Sequence, residues 1–168
     1  ADGSRGMFLD KASGSRDSPG FVVWSEVKKD PGRKGLVRDS SRMKRHQRCI
    51  EKLLRSYNDD PSRLLDIARS CIVFEDIDGL IACLRDIASD ENVVIERIKN
   101  RYRPDYQSSE TAGYRDVCIN LRVVTNEAMG LGAELHVCEV QLLLLQFIQL
   151  KTTGSHERYR KARNQRGK

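Results

Sequence analysis

Hydrophobic positions recur at helical or strand spacing along most of the chain from residue 40 onward. Residues 40–57 place apolar side chains on one helix face and basic side chains on the rest. The apolar run 71–74 is typical of a buried strand, and Asp76 or Asp78 begins another helix pattern. Further strand patterns lie at 93–102, 115–124 and 134–142, and further helix patterns lie at 63–68, 143–150 and after Gly154. The order α-α-β-α-β-β-β-α-α predicts an α+β fold, a mixed β-sheet of about four to five strands flanked by helices.

The first 38 residues have a different pattern. Residues 1–20 hold four glycines and four serines with few apolar residues. This composition predicts a loosely ordered lead-in over residues 1–38 and a folded domain over residues 39–168. The apolar segment 21–24 fits either a short strand or a first helical turn. The start at Ala1, which is not a methionine, fits a processed or excised piece of a longer protein.

Charge and cysteine content limit the function classes. Thirty Lys and Arg against 24 Asp and Glu give a net charge of +6. This favours polyanionic partners, although a mildly basic surface accounts for it equally well. Five widely spaced cysteines without a C-x-x-C motif favour an intracellular, reducing compartment and disfavour a zinc site. The longest apolar run, 142–145, is far below the roughly 20 residues of a spanning helix, so no membrane partner is expected.

Two carboxylates are candidates for metal binding. Asp66 lies at the junction between the short helix pattern and the first buried strand, and Glu139 lies in a strand whose other face is apolar. If these strands are neighbours, both acids could hold one divalent cation through hard oxygen ligands. Mg²⁺ at such a site would neutralise charge during phosphoryl transfer. The alternative is a helix cap or salt-bridge partner for Asp66 and an exposed strand position for Glu139.

Basic residues on the first helix pattern are candidates for phosphate binding. Arg42, Lys44, Arg48 and Lys52 could hold a triphosphate through charge-assisted hydrogen bonds. A solvated helix face explains the same charges.

Two further segments are candidates for nucleotide or RNA contact. Tyr114 follows Gly113 and could stack on a base if its ring is exposed, but a core tyrosine after a turn is an equal alternative. Residues 158–168 contain six basic and no acidic residues, which fits phosphate or RNA contact, or a solvated basic helix.

The order and spacing of these segments resemble the synthetase (nucleotidyltransferase) domain of RelA/SpoT proteins, which transfer pyrophosphate from ATP to the 3′-hydroxyl of GDP or GTP. The resemblance covers residues 42–163, about three quarters of the chain. The matched segments are Arg42, Lys44 and Lys52 of the ATP motif R-x-K-x-x-x-S-x-x-x-K, Asp66 before the metal-binding strand, Gly113-Tyr114-Arg115 of G-Y-R, Glu139-Val140-Gln141 of E-[IV]-Q, and Gly154-Ser155-His156 with Tyr159-Arg160 of the closing motif G-x-A-x-H-x-x-Y-K.

The resemblance implies a role for each matched residue. Asp66 and Glu139 would bind Mg²⁺, and Glu139 would also help to deprotonate the attacking hydroxyl. Tyr114 would stack on the acceptor base. The ATP phosphates would be held by Arg42, Lys44 and Lys52, with Arg48 as an added cation at a position where the family has serine. Further acceptor contacts would come from Lys99, Gln141, His156, Tyr159 and Arg160.

Several positions depart from the family pattern. This chain has Arg48 where the family motif has serine, and Cys71 and Leu143 where the motifs have arginine. It has Asp116 and Cys118 where the motif has serine and histidine. The resemblance therefore predicts a Mg²⁺-dependent domain that transfers pyrophosphate from ATP to a guanine nucleotide or an RNA 3′ end. The alternative is a catalytically degenerate copy that binds RNA, nucleotide or protein within a larger assembly.

Overall fold

A computed structural model describes residues 6–14, 19–29, 43–111 and 113–149. Its strands form one six-stranded sheet in the order β2-β1-β3-β6-β5-β4, in which β3 and β6 are parallel and the other neighbours are antiparallel. The strands are β1 Met7–Gly14, β2 Pro19–Val23, β3 Arg69–Phe74, β4 Val93–Asn100, β5 Val117–Val123 and β6 Cys138–Leu144. The helices are α1 Trp24–Lys29, α2 His46–Lys52, α3 Ile77–Ser89, α4 Asn126–Gly130 and α5 Leu145–Gln149, with a π-helix at Leu53–Tyr57 and 3₁₀ turns at Pro61–Arg63 and Ser108–Thr111. This is the predicted α+β fold with a mixed sheet flanked by helices.

The expected number of about four to five strands is corrected to six, because β1 and β2 lie in the segment predicted to be a loose lead-in. The larger apolar residues of β1, Met7-Phe8-Leu9, form one consecutive run without the alternation of a half-buried strand, so the pattern along the chain gives little sign of it. It is stabilised by pairing with β2 and by the bridge from Met7 to Val73 of β3. Phe8 and Trp24 add an edge-to-face contact with ring centroids 5.5 Å apart. These are tertiary contacts that local sequence does not encode.

The main core lies between one face of the sheet and α3. Asp76 accepts a hydrogen bond from the Gly79 amide at 2.7 Å and begins this helix, as the sequence predicted. Leu80 of α3 packs with Phe74, Ile119 and other buried strand residues. Successive side chains of each strand therefore point in turn to the sheet face that packs against α3 and to the opposite face.

Three predicted helix boundaries are wrong. Residues 43–45 are not helical and α2 begins at His46, because the Lys44 amide donates to the Ile67 carbonyl at 2.9 Å and holds this segment against the turn before β3. The second predicted helix, residues 63–68, is not present: the chain forms the 3₁₀ turn Pro61–Arg63, which Asp60 caps, and then turns and bends into β3. The helix predicted from residue 143 begins at Leu145, since β6 continues to Leu144.

Two parts of the chain complete the comparison with the expected elements. The structure contains α4, which the sequence pattern did not predict, while the basic helix predicted after Gly154 lies outside the described residues. None of the helices within the described ranges combines the length and the apolar character that crossing a bilayer requires.

Candidate active site

The sheet face opposite α3 presents a grid of polar and charged side chains, which we call the site face. Strand register aligns Arg69, Glu139, Asn120 and Arg97 in one row, and Cys71, Gln141, Cys118 and Lys99 in the next. Paired residues on neighbouring strands share a face, so the row of Glu139 and the row of Gln141 lie side by side. Five of the sequence-predicted or departing positions are therefore neighbours on one surface: Glu139, Gln141, Lys99, Cys71 and Cys118.

The two candidate metal carboxylates lie at the same end of adjacent strands. Asp66 is in the turn immediately before β3, and Glu139 is the second residue of β6. The strands are parallel neighbours, and the Glu139 amide donates to the Ala68 carbonyl at 2.9 Å. The condition set by the sequence, that the two strands must be neighbours, is met.

Asp66 binds two of the predicted phosphate-binding lysines. Its Oδ2 lies 2.5 Å from Lys44 Nζ and 3.1 Å from Lys52 Nζ, and all three side chains are largely buried. Burial alone would raise the pKa of Asp66, but the two ammonium groups outweigh it and hold that pKa below its usual value. This cluster, which we call the lysine–aspartate cluster, carries one net positive charge.

The two lysines respond differently to this setting, although burial is the largest influence on both. In Lys44, burial outweighs the attraction of Asp66 and lowers the pKa. In Lys52, the Tyr57 hydroxyl and Asp66 together outweigh burial and raise the pKa. The Lys52 ammonium also lies 4.9 Å from the centroid of the Tyr57 ring, a cation–π distance.

Arg48, another predicted ATP-binding residue, is not part of this cluster. Arg48 makes a salt bridge with Glu51 on the exposed surface of α2. Arg42 lies outside the described residues.

Glu139 is held by neighbours on the site face. Gln141 Nε2 donates to Glu139 Oε1 at 2.8 Å. The thiol of Cys118 lies beside the same carboxylate, and burial followed by the charge of Glu139 raises the pKa of Cys118 to about 12. Cys118 is thus a neutral neighbour of Glu139, not a reactive thiolate.

Lys99 lies on β4 next to Cys118 on the same face. Its pKa is lowered by burial and then by the nearby cations Arg97 and Arg101. Basic residues at 97, 99 and 101 follow the alternation of a strand, a signal that the sequence analysis did not use for Arg97 and Arg101.

The predicted stacking residue Tyr114 is half-buried, and its hydroxyl donates to Asp116 Oδ2 at 3.1 Å. Burial and then the charge of Asp116 raise its pKa. The structure thus differs from the fully exposed ring of the stacking hypothesis, because the phenol end of the ring is anchored. Gly113 has a φ of +83°, which favours glycine at this turn. The remaining acceptor candidates, His156, Tyr159 and Arg160, lie outside the described residues.

Asp66 and Glu139 suit a magnesium ion, which needs few protein ligands, better than a metal that is enclosed by three or more protein side chains. Within the described ranges, no group of three or more His, Cys, Asp or Glu side chains is placed to hold a metal. Mg²⁺ is commonly held by only one or two carboxylates together with water and substrate phosphates. Asp66 Oδ1 is buried and has no hydrogen-bond partner in the described part of the chain, so one hard oxygen remains available.

Comparison with known proteins supports the fold independently. No protein-family model and no curated protein matches the sequence. Among solved structures, small alarmone synthetase 1 from Bacillus subtilis, bound to its product pppGpp, superposes with a TM-score of 0.56 at 17% identity, over 72% of this chain and 61% of that one. A GTP pyrophosphokinase family protein from Streptococcus pneumoniae gives a TM-score of 0.56 at 19% identity, over 82% of this chain and 68% of that one.

These similarities define the class of the fold. A third match, small alarmone synthetase 2 from Bacillus subtilis, has a TM-score of 0.52 at 21% identity, over 73% of this chain and 62% of that one. The chain therefore has a RelA/SpoT-like synthetase fold, as its motifs implied. It matches 61% of the length of small alarmone synthetase 1.

Proposed function

We propose that this chain carries a Mg²⁺-dependent pyrophosphokinase domain that transfers pyrophosphate from ATP to the 3′-hydroxyl of a guanine nucleotide or an RNA end. The observation that carries this proposal is the lysine–aspartate cluster beside the strand of Glu139. Lys44 and Lys52 contact Asp66, and Glu139 lies near the start of the adjacent parallel strand, at the same end of the sheet. The cations proposed for a triphosphate and the acids proposed for its metal thus lie on neighbouring segments.

In this proposal the lysines hold the ATP phosphates. Ammonium groups form charge-assisted hydrogen bonds to phosphate oxygens. Arg42 would add a guanidinium to these phosphate-binding cations, as the resemblance implies. Arg48 would have to break its salt bridge with Glu51 before it could bind phosphate. A phosphoryl-transfer site relies on such positioning and charge more than on covalent chemistry.

Asp66 and Glu139 are the proposed magnesium ligands. The available Oδ1 of Asp66 and the carboxylate of Glu139 supply the hard oxygens that this ion prefers. Bound there, Mg²⁺ would neutralise charge that develops on the phosphate oxygens.

On the acceptor side, Glu139 is the proposed general base. The 3′-oxygen of the acceptor attacks the β-phosphorus of ATP, the bond from that phosphorus to the α–β bridging oxygen breaks, and AMP leaves. Glu139 takes the proton from the hydroxyl, and Gln141 orients its carboxylate at 2.8 Å. Lys99 would attract acceptor phosphates, and the open part of the Tyr114 ring would contact the base.

A catalytically degenerate binding module is the second candidate function. Cys71 and Leu143 are neutral where the resembled motifs carry arginine, and Leu143 is buried opposite Val73 of β3. Each lost charge-assisted contact costs on the order of 1.5–3 kcal/mol, so two losses could slow transfer by roughly a hundredfold or more. Two further proposals hold for either candidate function. The basic residues 158–168 would contact RNA, and the protein would be located in an intracellular, reducing compartment.

A labelling experiment tests the proposal. The protein is incubated with Mg²⁺ and ATP labelled in either the β- or the γ-phosphate, with GDP, GTP or tRNA as acceptor. We expect both labels on the acceptor, because β-label is carried only when pyrophosphate moves as a unit. Glu139→Gln should abolish transfer, whereas Glu91→Gln, which removes an exposed acid in the turn before β4, should leave transfer unchanged. No transfer, with nucleotide binding indifferent to Mg²⁺, would favour the binding module.

A further inference from the structure

A buried ion pair lies on the site face next to Lys99 and Tyr114, in the part of this face that the proposed function gives to the acceptor and that we call the acceptor end. Asp116 is fully buried, immediately before β5. Its Oδ1 accepts a hydrogen bond from Arg101 Nη1, and its Oδ2 accepts one from the Tyr114 hydroxyl at 3.1 Å. The Arg101 amide also donates to the Asp116 carbonyl at 2.8 Å. Side chains and main chain therefore hold Arg101 and Asp116 together.

This pair removes one cation from the site face. Arg97, Lys99 and Arg101 occupy alternate positions along β4 and just beyond it, and the charges of both Arg101 and Asp116 act on Lys99. Within the described residues, Arg97 and Lys99 make no salt bridge, whereas Arg101 is committed to Asp116. Arg101 and Asp116 form a one-to-one pair without net charge, whereas the lysine–aspartate cluster keeps one net positive charge, so Arg101 in this pair offers little attraction to a phosphate.

The neighbouring cation Arg115 is also held by hydrogen bonds within the protein. Arg115 Nη1 donates to the carbonyl oxygens of Arg101 and Arg103, at 3.0 and 3.1 Å. The acceptor end of the site face thus has two cations, Arg97 and Lys99, that no salt bridge in the described ranges occupies.

We infer that Asp116 determines acceptor specificity: by holding Arg101 in a buried pair, it favours acceptors with a short, weakly charged 5′-phosphate group over nucleoside triphosphates. This inference rests on the proposed function, which places the acceptor beside Lys99 and Tyr114. Asp116 stands where the resembled motif has serine, which cannot form an ion pair with Arg101. It acts through Arg101 and is a positioning residue, not a catalytic one.

The test measures dissociation constants for GMP, GDP and GTP in the absence of ATP, in the wild type and in Asp116→Asn and Asp116→Ser. Releasing one guanidinium should tighten GTP binding about tenfold, with a much smaller change for GMP. The matched control is Asp105→Asn, which breaks the exposed Arg103–Asp105 pair in the same β4–β5 connection and should leave the GTP-to-GMP ratio unchanged.

A double variant keeps the inference testable if the single variants do not fold. Arg101→Gln/Asp116→Asn replaces the ion pair by neutral amides of similar size, and it should keep the wild-type nucleotide preference. An unchanged ratio in both single variants, an equal shift in Asp105→Asn, or a GTP preference in the double variant would overturn the inference. A shifted ratio without any label transfer would contradict the proposed function alone, and transfer without a shifted ratio would contradict only the role of Asp116.

Discussion

Asp66 is the residue at which the charges of the candidate site meet. One of its oxygens binds Lys44 and Lys52, while the other is buried without a hydrogen-bond partner in the described ranges. The sequence motif identified all three residues as candidates, but their mutual contact follows from the turn before β3 packing on the segment before α2. That packing depends on the hydrogen bond from the Lys44 amide to Ile67.

Asp66→Asn should lower the free energy of unfolding at neutral pH by about 1–3 kcal/mol, because it leaves the two largely buried ammonium groups of Lys44 and Lys52 without a counter-charge. The folded-state pKa of Asp66 lies below the usual pKa of an aspartate, so its stabilising contribution is complete at pH values above that usual pKa. The contribution disappears as the pH falls through the lower, folded-state pKa. The difference between wild type and variant should therefore narrow in acid, as measured by urea unfolding across pH.

The control for this measurement is Asp86→Asn, which removes one exposed acid from α3 and keeps the lysine–aspartate cluster. A difference between wild type and Asp66→Asn that stays constant from neutral pH into the acid range would contradict the assigned ion pairs.

At the scale of elements, prediction from the sequence succeeds where local signals decide the structure. The helix α3 has an aspartate cap and apolar residues at helical spacing, so its start was predictable. The strand β1 has neither signal and forms by pairing with β2 and β3. Residues 43–45 have a helical pattern but are not helical, because a tertiary hydrogen bond holds the Lys44 amide. Local pattern fails where long-range pairing determines the backbone.

The cap of α3 gives a prediction at this scale. Asp76→Ala removes the acceptor for the Gly79 amide and should lower the free energy of unfolding by about 1 kcal/mol. Asp76→Asn keeps an acceptor oxygen and should retain most of the stability. Denaturant unfolding of both variants distinguishes the cap from a general charge effect, and equal losses in the two variants would argue against the cap.

At the scale of the whole molecule, the site depends on the sheet order. Asp66 and Glu139 are far apart in the sequence, and only the parallel pairing of β3 with β6 brings their segments to one end of the sheet. Spacing along the chain could not establish this pairing, whereas the family resemblance implied it. The commitment of Arg101 to Asp116 was not implied, since the departure at Asp116 is visible in the sequence but its partner is not.

The central claim is that Asp66 and Glu139 hold one cation together with the phosphates of ATP. Mn²⁺ binding, followed by electron paramagnetic resonance in the presence of a non-hydrolysable ATP analogue, tests it with Asp66→Asn, Glu139→Gln and the double variant. Residues that share one ion are energetically coupled, so each single substitution should weaken binding about tenfold or more and the double variant should lose little further. Independent, additive losses, or Mn²⁺ binding that neither substitution weakens, would contradict a shared site.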